Sequence, residues 1–595
     1  MTTHYISELA VREKLGQLRN EQYWREAPDD AFGEMKEALG SRWVSRDKVV
    51  RQSYYARGYG FEMWTNAGVC YPPCVVALPS STEEVAALVK ICNKHNLSYV
   101  PMSSGWIAQA TPRYRSDMVL IDLQRMWEWE INDENMFVSL GAGVRYGHHC
   151  QGCLERGLWF INTGGGSGSC VIANTLNYGC SPLNYRMGNS ERRALSLEWV
   201  TPQGDIAYSG SWTQGESGFG GDGPGPNLMG LLRGMNTWFG GMGIVTRMSV
   251  KVFSVIENVT EVLVPEGITP DTNLAFKDTG RIRWINFQFP SREAMEKCAV
   301  EVGHAQIGAA WTRVPVFWRY IAQARDKEDF WEKWSGVPRE DIDNFHLLRA
   351  LFVGYTSHKQ MEYELRVCED IMKKYGAKER RTKASDESWI KNVDANGMWM
   401  MTSGYITTLG GQESLRACIE TGKKLAQVFE AEGYNEAFLD TKGDTGWWQL
   451  NDCGHSAYIE FMLYQNVDHW DPLSPYFKPE IREKGIRWSF EMVPDVEAET
   501  GAYNFFGGLQ YPFLYAGPAR GNFQIWIDRF KDEFDPKALA NPPAPYDIEG
   551  LIELLPDEML PRVRSRIRRA LRGKSAAMSS LPEKRLKILS GEGNY

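Results

Sequence analysis

The sequence predicts an α+β fold, and three observations along its 595 residues support this class. A strand–helix–strand pattern runs through VVALPSSTEEVAALVKICNKHNLSYVPM, residues 75–102. Glycine-rich loops follow at 161–179 and 215–226, and they cannot be helix interiors because glycine costs about 1 kcal/mol there. From about 256 to 505, strand-like runs alternate with charged helical segments, which is typical of helices on one face of an antiparallel sheet.

Composition and charge narrow the classes of function. The chain is 43% hydrophobic and 24% charged, with a formal net charge of −9, so it is globular and lacks the positive surplus that nucleic-acid binding requires. Its 11 cysteines are scattered over a long chain, which does not indicate a disulfide framework. The sequence shows no signal-peptide core and no run of about 18 apolar residues, which predicts a cytoplasmic protein without a transmembrane segment.

The strand–helix–strand pattern can be assigned in detail. Ser81 or Thr82 is suited to cap the helix N-terminus, and Glu84 lies within capping-box range of Ser81. The apolar face of this helix consists of Val85, Leu88, Val89 and Cys92. Further on, LSLEWVTPQGDIAYSG predicts a β-hairpin with its turn at Pro202–Gly204.

Two small-residue loops are candidates for contact with a cofactor. A predicted strand leads into Ser103-Ser104-Gly105, whose backbone N–H groups can converge on a phosphate. The second loop, TGGGSGS at 163–169, allows the backbone to lie against a ring or a pyrophosphate. It matches neither the P-loop spacing nor a strand–GxGxxG–helix unit, which argues against a Rossmann nicotinamide enzyme.

In order and spacing, four segments resemble the vanillyl-alcohol oxidase / 4-cresol dehydrogenase family, whose members share a PCMH-type FAD-binding domain. These segments are LPSSTEEVAALVKICNKHNLSYVPMSSG, GGGSGSCVIANTLNYG, GMGIVTRM and FDPKALANP. The resemblance implies a two-part FAD-binding domain, residues 1–255 and 506–547, around an inserted α+β cap that binds substrate, 256–505. A basic helical tail, 548–595, completes the predicted organisation.

The resemblance also implies FAD as the cofactor and assigns residues to each part of it. The pyrophosphate would be held by Ser103, Ser104, Gly105, Trp106 and Ile107. The flavin and its ribityl chain would be lined by Gly164, Gly165, Gly166, Ser167, Ser169 and Asn174. The adenine and ribose would lie near Gly243, Ile244 and Val245, and the C-terminal return would bring Asn541 to the isoalloxazine ring.

Two departures from the family pattern bear on the flavin and on the chemistry. The pyrophosphate loop lacks the histidine that links FAD covalently in many relatives, so non-covalent FAD is expected. His455, in CGHSAYIEF, is similar to a cap histidine that tethers flavin in other members, and it is either such a tether or an ordinary cap-strand residue. Asn189 stands where the benzylic-alcohol members carry an acid, and an amide cannot act as a base.

An acid–base step would therefore need other side chains. The candidate catalytic residues are Tyr185, Arg186, Asn189, His455, Glu460, Tyr515 and Arg520, with Glu191 as a further acid, and each also has a structural interpretation. A separate cluster has the spacing of metal ligands and contains His148, His149, Cys150 and Cys153. No second pair lies nearby, and no metal is predicted there or at Cys70 and Cys74.

By resemblance, the function is oxidation of a small molecule by hydride transfer to flavin N5, in a pocket between FAD and cap. A phenolic or benzylic substrate is favoured by the family and by the cap tryptophans, Trp311, Trp318, Trp399, Trp447, Trp448 and Trp488. One alternative is a 2-hydroxy-acid dehydrogenase, which would need paired Arg or Lys side chains in the cap. The other is a non-catalytic flavoprotein subunit that transfers electrons within a complex.

Partners beyond the substrate are less defined by the sequence. The tail carries Arg562, Arg564, Arg566, Arg568, Arg569 and Arg572. Such a segment is either a solvated terminal helix or a contact for a membrane surface, an acidic partner or phosphates. An electron-acceptor protein, either a cytochrome or another flavoprotein, is open beside oxygen and a quinone, and assembly into a homo-oligomer is expected from the family.

Overall fold

The computed structural model describes residues 25–54, 72–105, 117–160, 167–177, 179, 181–210, 212, 228–233, 240–254, 260–262, 274–276, 280–321, 324–380, 406–438, 440–463, 469, 475–488, 492–504 and 524–541. Within these ranges, a four-stranded sheet, a five-stranded sheet and a two-stranded pair form the part of the chain before residue 255, and an eight-stranded sheet with a second two-stranded pair forms the centre. The predicted α+β class is confirmed. The basic tail lies outside the described residues.

The part before residue 255 is called the FAD lobe below. Its elements are α1 (Asp29–Leu39), β1 (Val44–Ser45), α2 (Lys48–Ser53), β2 (Val75–Ala77), α3 (Thr82–His95), β3 (Tyr99–Met102), β4 (Val119–Asp122), β5 (Trp129–Asn132), β6 (Phe137–Gly141), α4 (Tyr146–Leu154), β7 (Leu158–Trp159), α5 (Val171–Leu176), α6 (Asn184–Met187), β8 (Ala194–Val200), β9 (Ile206–Gly210), α7 (Met229–Leu232), β10 (Ile244–Lys251) and β11 (Phe253–Ser254). Short 3-10 helices lie at Ser41–Trp43, Leu123–Arg125 and Ser190–Arg193.

The first sheet has the strand order β1-β2-β4-β3, with β2, β4 and β3 parallel. The helix α3 connects β2 to β3 and is capped as predicted, because the Ser81 hydroxyl accepts from the Glu84 N–H. The Glu84 carboxylate accepts from the N–H of Ser80, one residue before the expected position. The predicted apolar face of α3 is fully buried. The loop at Ser103 therefore starts at the carboxyl edge of this sheet, where ligands bind in open parallel sheets.

The second sheet is antiparallel, with the order β5-β6-β10-β8-β9. The predicted hairpin is confirmed as β8 and β9, joined by a turn in which the Gly204 N–H donates to the Thr201 carbonyl over 2.9 Å. The central strand β10 is almost entirely buried. Gly243 precedes it with φ of +101°, and a Cβ there would overlap the Val200 carbonyl oxygen.

The central part is called the cap below. Its elements are β12 (Thr260–Val262), β13 (Leu274–Phe276), β14 (Ile282–Gln288), α8 (Arg292–Ala305), β15 (Ala310–Arg313), α9 (Val316–Ile321), α10 (Lys327–Ser335), α11 (Arg339–Asp343), β16 (Leu347–Val353), α12 (His358–Lys374), β17 (Lys378–Arg380), β18 (Ile406–Glu413), α13 (Leu415–Ala431), β19 (Trp447–Asn451), β20 (Ser456–Leu463), α14 (Pro479–Arg487), α15 (Val493–Thr500) and β21 (Tyr503–Asn504). Short 3-10 helices lie at Tyr434–Glu436 and Asp452–Gly454.

The cap sheet has eight antiparallel strands in the order β17-β14-β16-β15-β19-β20-β18-β21. One face packs in a hydrophobic core with the helices α8, α12 and α13. On the opposite face, Ala310, Leu351 and Val353 belong to the core of the FAD lobe. Alternate residues of each strand therefore point to the helices or to the FAD lobe.

The chain returns to the FAD lobe after the cap, through α16 (Gln524–Phe534) and the segment that follows it. Ala540 forms a parallel bridge with Tyr99 at the edge of the first sheet, and the Asn541 N–H donates to the Tyr99 carbonyl over 2.7 Å. The buried Lys531 ammonium donates to the carbonyls of Gly241 and Ala540 and to the Asp535 carboxylate. Burial lowers the pKa of Lys531, and Asp535 opposes this shift. No helix within the described ranges is long and apolar enough to cross a membrane.

We expect Gly243→Ala to destabilise the protein by about 2–3 kcal/mol, since the new methyl group meets backbone at a φ that alanine rarely adopts. Denaturant unfolding measures this difference. Gly230→Ala is the matched control, because nothing lies within 4 Å of a Cβ at this exposed position in α7. The control should be neutral or stabilise by a few tenths of a kcal/mol, up to about 1. Equal effects of the two substitutions would contradict the packing argument.

Candidate functional site

The two predicted cofactor loops lie together at the edge of the first sheet. The hydroxyls of Ser103 and Ser104 hydrogen-bond with the thiol of Cys170, which follows the second loop directly. Cys170 also forms an isolated antiparallel bridge with Arg145, the residue before α4. The loops are distant in sequence but adjacent in space, as two loops that bind one extended ligand must be.

The second loop is fixed by the start of α4. The carbonyl of Ser169 accepts from the Tyr146 N–H over 2.9 Å, and that of Ser167 accepts from the Gly147 N–H over 3.0 Å. The Tyr146 hydroxyl donates to Asn174 Oδ1 over 3.0 Å. Ser167, Ser169 and Asn174, three of the predicted flavin-lining residues, are thus held by one helix start.

The other predicted cofactor residues divide into three groups. Trp106, Ile107 and Gly164, Gly165 and Gly166 lie outside the described residues. Ile244 and Val245 are buried in β10 opposite Val200 and Trp199, so they pack inside the second sheet. Asn541 is buried at the edge of the first sheet. The contacts of Gly243, Ile244, Val245 and Asn541 with FAD stay predictions.

Four buried amide side chains connect the FAD lobe to the cap, and we call Asn184, Asn189, Gln449 and Asn451 the amide cluster. Gln449 on β19 donates to the carbonyl of Ser181 over 2.6 Å and to Asn451 Oδ1 over 2.8 Å. The Asn184 side chain donates to the Gly179 carbonyl over 3.3 Å. The hydroxyl of Ser190, the neighbour of Asn189, donates to the same carbonyl.

The amide cluster retains hydrogen-bonding capacity. Asn184 Oδ1, Asn189 Oδ1, Gln449 Oε1 and Asn451 Nδ2 are buried and have no hydrogen-bond partner among the described residues. Buried polar atoms are normally hydrogen-bonded to protein, water or ligand. The polar edge of an oxidised isoalloxazine ring has one N–H donor, at N3, between two C=O acceptors, so it can pair with one of these oxygens and with the Asn451 N–H. These residues therefore fit the FAD that the motifs imply.

A line of polar side chains crosses the cap sheet on the face towards the FAD lobe. Cross-strand pairing places in one row, called the cap polar row, Asn286, Arg349, Thr312, Gln449, Tyr458 and Gln412. Neighbours in such a row have Cβ atoms about 5 Å apart. Gln449 fixes the direction of the row, because it reaches Ser181 of the FAD lobe.

An aromatic pair and an acid lie on the same face. The rings of Trp447 and Tyr458 meet edge to face with centroids 5.4 Å apart. The indole N–H of Trp447 donates to the Thr312 hydroxyl, and the Tyr458 hydroxyl donates to Glu460 Oε2 over 3.1 Å. We call Trp447, Tyr458 and Glu460 the aromatic–acid corner; all three are buried. Among the predicted catalytic residues that the structure describes, Glu460 is the one found on this face.

Tyr185 and Arg186, expected to be catalytic, instead join the FAD lobe to the cap. Tyr185 is fully buried in the cap core, and its hydroxyl donates to the Val302 carbonyl over 3.1 Å. Burial raises the pKa of Tyr185 well above its ordinary value. Arg186 donates to the Gln306 carbonyl over 3.0 Å and is exposed. Both side chains are engaged at the end of α8, and a catalytic role for them stays a prediction.

The structure describes His455 and four of the six cap tryptophans. His455 is exposed in the turn between β19 and β20, and its role as a flavin tether stays a prediction. Trp311, Trp448 and Trp488 belong to the core between the cap sheet and its helices, whereas Trp447 faces the FAD lobe. The side chains of Trp318 and Trp399, together with Tyr515 and Arg520, lie outside the described residues.

The carboxyl group of Glu191 has a raised pKa. It follows Asn189 by two residues, in the 3-10 helix Ser190–Arg193. Burial raises its pKa to about 7, although neighbouring arginines, Arg192, Arg233 and Arg193, lower it. Its Oε2 atom is buried without a hydrogen-bond partner in the part of the chain that the structure describes. A carboxyl with a pKa near 7 is suited to general acid–base catalysis.

Three residues of the histidine and cysteine cluster, His149, Cys150 and Cys153, are buried in the FAD lobe, and His148 is exposed. His149 is fully buried and accepts from the indole N–H of Trp129 over 3.2 Å. Burial lowers its pKa to about 3, so the ring is neutral. Cys150 and Cys153 are buried on the same helix, α4. No group of three or more potential metal ligands occurs within the described ranges.

Comparison with known proteins places this site in a wider context. A family model described as "FAD binding domain" matches residues 73–208. The probable mitochondrial D-lactate dehydrogenase of Danio rerio is 28% identical over 32% of this chain and 37% of its own length. The D-lactate dehydrogenase of Archaeoglobus fulgidus is 26% identical over 40% of this chain and 51% of its own length. The chain thus spans about half or less of these relatives.

Similar solved structures extend over most of the chain. The 4-ethylphenol oxidase from Gulosibacter chungangensis has a TM-score of 0.64 at 16% identity, covering 88% of this chain and 97% of that one. A p-cresol methylhydroxylase has a TM-score of 0.63 at 15% identity, with 87% and 96% covered. An alkyldihydroxyacetonephosphate synthase has a TM-score of 0.59 at 16% identity, with 90% and 92% covered. At these identities the likeness shows the fold alone.

The family model and the solved structures support the expectation drawn from the motifs. The matched residues 73–208 contain both loops that meet at Cys170. FAD is the cofactor that this domain binds. The chain therefore carries an FAD-binding domain and has the fold of PCMH-type flavoproteins, which confirms the resemblance to the vanillyl-alcohol oxidase / 4-cresol dehydrogenase family.

Proposed function

We propose that this protein is an FAD-dependent oxidoreductase that oxidises a phenolic or benzylic small molecule. The observation that carries the substrate class is the aromatic–acid corner, in which buried Trp447 and Tyr458 lie beside Glu460 on the cap face towards the FAD lobe. Aromatic rings of this kind pack edge to face against an aromatic substrate. When bound, FAD accepts the hydride that the substrate carbon loses.

The residues of the corner have separate roles in this proposal. Trp447 and Tyr458 position the substrate ring, and the hydrogen bond between Trp447 and Thr312 fixes the indole. Glu460 receives the hydroxyl proton of the substrate, with Tyr458 holding one of its oxygens in place. The amide cluster orients the flavin, and Asn189 supplies a hydrogen-bond acceptor where an acid stands in the benzylic-alcohol members.

A second candidate is a D-2-hydroxy-acid dehydrogenase. The curated relatives are named D-lactate dehydrogenases, and the cap polar row contains Arg349, a half-buried cation that donates to Asn286 over 3.2 Å. An arginine can hold a carboxylate through two parallel hydrogen bonds. The row offers one arginine among the described residues, whereas a carboxylate clamp was expected to need a pair, so this candidate ranks second.

Anaerobic reduction of the flavin separates these candidates. Purified holoprotein is mixed with 4-alkylphenols, 4-hydroxybenzyl alcohols or D-2-hydroxy acids, and the visible flavin absorbance is followed. We expect the phenolic compounds to bleach the flavin. Bleaching by D-2-hydroxy acids alone, with loss of that activity in Arg349→Met, would establish the second candidate. No bleaching by any compound would favour a non-catalytic electron-transfer subunit.

We predict that Glu460→Gln slows flavin reduction by the phenolic substrate about 10²- to 10⁴-fold, the usual range for loss of a general base. Stopped-flow absorbance measures this rate. Tyr458→Phe should cost less, because the carboxylate remains. Glu413→Gln, an exposed acid on β18 of the same sheet, is the control and should reduce at the rate of the unmodified protein. A rate for Glu460→Gln within about twofold of that control would exclude Glu460 as the base.

We also predict that Glu191 makes the protein less stable as pH rises. Its pKa is raised from 4.5 to about 7, so the folded state holds a proton that the unfolded state releases between these values. Stability therefore falls across this window, and Glu191→Gln removes the loss. As pH rises from 5 to 8, the melting temperature of Glu191→Gln should increase relative to that of the unmodified protein. Glu130→Gln, a substitution at an exposed position, is the control and should leave the pH dependence of the melting temperature unchanged. If the melting temperatures of Glu191→Gln and the unmodified protein change with pH in parallel, the pKa of Glu191 is not raised.

A further inference from the structure

Arg145 lies where the two cofactor loops meet. It stands between β6 and α4 and forms the antiparallel bridge with Cys170, whose thiol contacts the hydroxyls of Ser103 and Ser104. Its Nη2 atom donates to Gln124 Oε1 over 2.8 Å. Gln124 follows β4, the neighbour of β3 in the parallel sheet. The guanidinium is therefore beside the carboxyl ends of the strands that carry the pyrophosphate loop.

The charge of Arg145 has no direct ion pair among the described residues. Gln124, which accepts from Nη2, is neutral, and the Nε atom is buried without a partner. Asp122 is near enough for electrostatic attraction, but its carboxylate already accepts from Tyr54 and from two groups of Gln124 over 2.7–3.0 Å. A partly buried cation without a paired anion is unfavourable, and an anionic ligand would remove this cost.

The backbone at the start of α4 does not provide the positive group. The N–H groups of Tyr146 and Gly147 are engaged by the carbonyls of Ser169 and Ser167. At this helix start, the Arg145 side chain is therefore the group that remains for an anion, beside the N–H groups of the loop at Ser103-Ser104. Its planar guanidinium presents several N–H groups in a geometry that matches phosphate oxygens.

We propose that Arg145 binds the pyrophosphate of FAD, as the charged partner of the loop at Ser103-Ser104. The inference rests on the FAD-binding domain and not on the proposed substrate. The family resemblance assigned the pyrophosphate to residues 103–107 alone. Arg145 adds a cation from the strand–helix junction that follows β6, outside that loop.

Flavin affinities test the proposal, because riboflavin lacks phosphate, FMN has one and FAD has two. Each flavin is titrated into the full-length chain after removal of bound FAD, with flavin fluorescence as the readout. We expect Arg145→Gln to weaken FAD binding about 10- to 100-fold and to change riboflavin affinity less than about twofold. Arg145→Lys keeps the positive charge but loses the forked N–H groups of the guanidinium. Its FAD affinity should therefore lie between those of the unmodified chain and Arg145→Gln. The affinity of the unmodified chain for FAD should also fall more steeply with salt than that of Arg145→Gln.

Arg156→Gln is the matched control. Arg156 is exposed just after the end of α4, where it donates to the Gly152 carbonyl and covers the Trp129 ring. This variant removes the same charge and should bind all three flavins as the unmodified chain does. Circular dichroism of the flavin-free chains checks that the variants are folded.

Two results would overturn the proposal. One is FAD affinity of Arg145→Gln within about twofold of the control. The other is an equal loss for FAD and riboflavin, which would make Arg145 a structural counter-charge for Asp122. If Arg145→Gln does not fold, the comparison of FAD with riboflavin in Arg145→Lys decides in the same way. If the flavin resists removal, FAD content after expression of each variant replaces the titration, and content equal to the control would equally reject the role.

Discussion

A single buried ammonium closes the FAD-binding domain. Lys531 holds the carbonyl of Gly241, which precedes β10, together with Ala540 and Asp535 of the C-terminal return. This clamp keeps Ala540 against Tyr99, on the strand that leads into the loop at Ser103. The second sheet, the first sheet and the return are thus joined at one point. This junction holds the edge of the first sheet at which the strand Tyr99–Met102 leads into the loop at Ser103.

Features that depend on neighbouring residues were predictable from the sequence. The Ser81 cap, the buried face of α3 and the hairpin of β8 and β9 follow from side-chain chemistry and periodicity within a short window. The faces of the cap sheet were not predictable in this way. Trp447 and Trp448 are adjacent and equally apolar, yet one faces the FAD lobe and the other the cap core. That choice depends on which face meets the second lobe, and strand alternation alone leaves it open.

The candidate site also contains residues that were identified from the sequence and residues that were missed. Asn189 was identified from its motif, whereas Gln449 and Asn451 were missed, although the alternation in WWQLN marks them as sharing a face. Their importance comes from the carbonyl of Ser181, a contact across 268 residues of sequence. His455 was also identified from a similar motif, and the motif did not indicate that this residue is exposed in a turn. Motif similarity gives the neighbourhood of a residue, and only the turn geometry gives its direction.

The two-part construction of the domain has a consequence for its synthesis. Lys537 in the return donates to the Asn93 carbonyl at the end of α3, across 444 residues. Contacts of this separation form late, because the entropy of closing the intervening chain must first be offset. A ribosome delivers both cofactor loops early, yet the return that completes their sheet emerges only after the whole cap. Flavin binding is therefore expected to occur late, after translation. A chain that ends before the return would contain both loops but lack the contacts of Lys531.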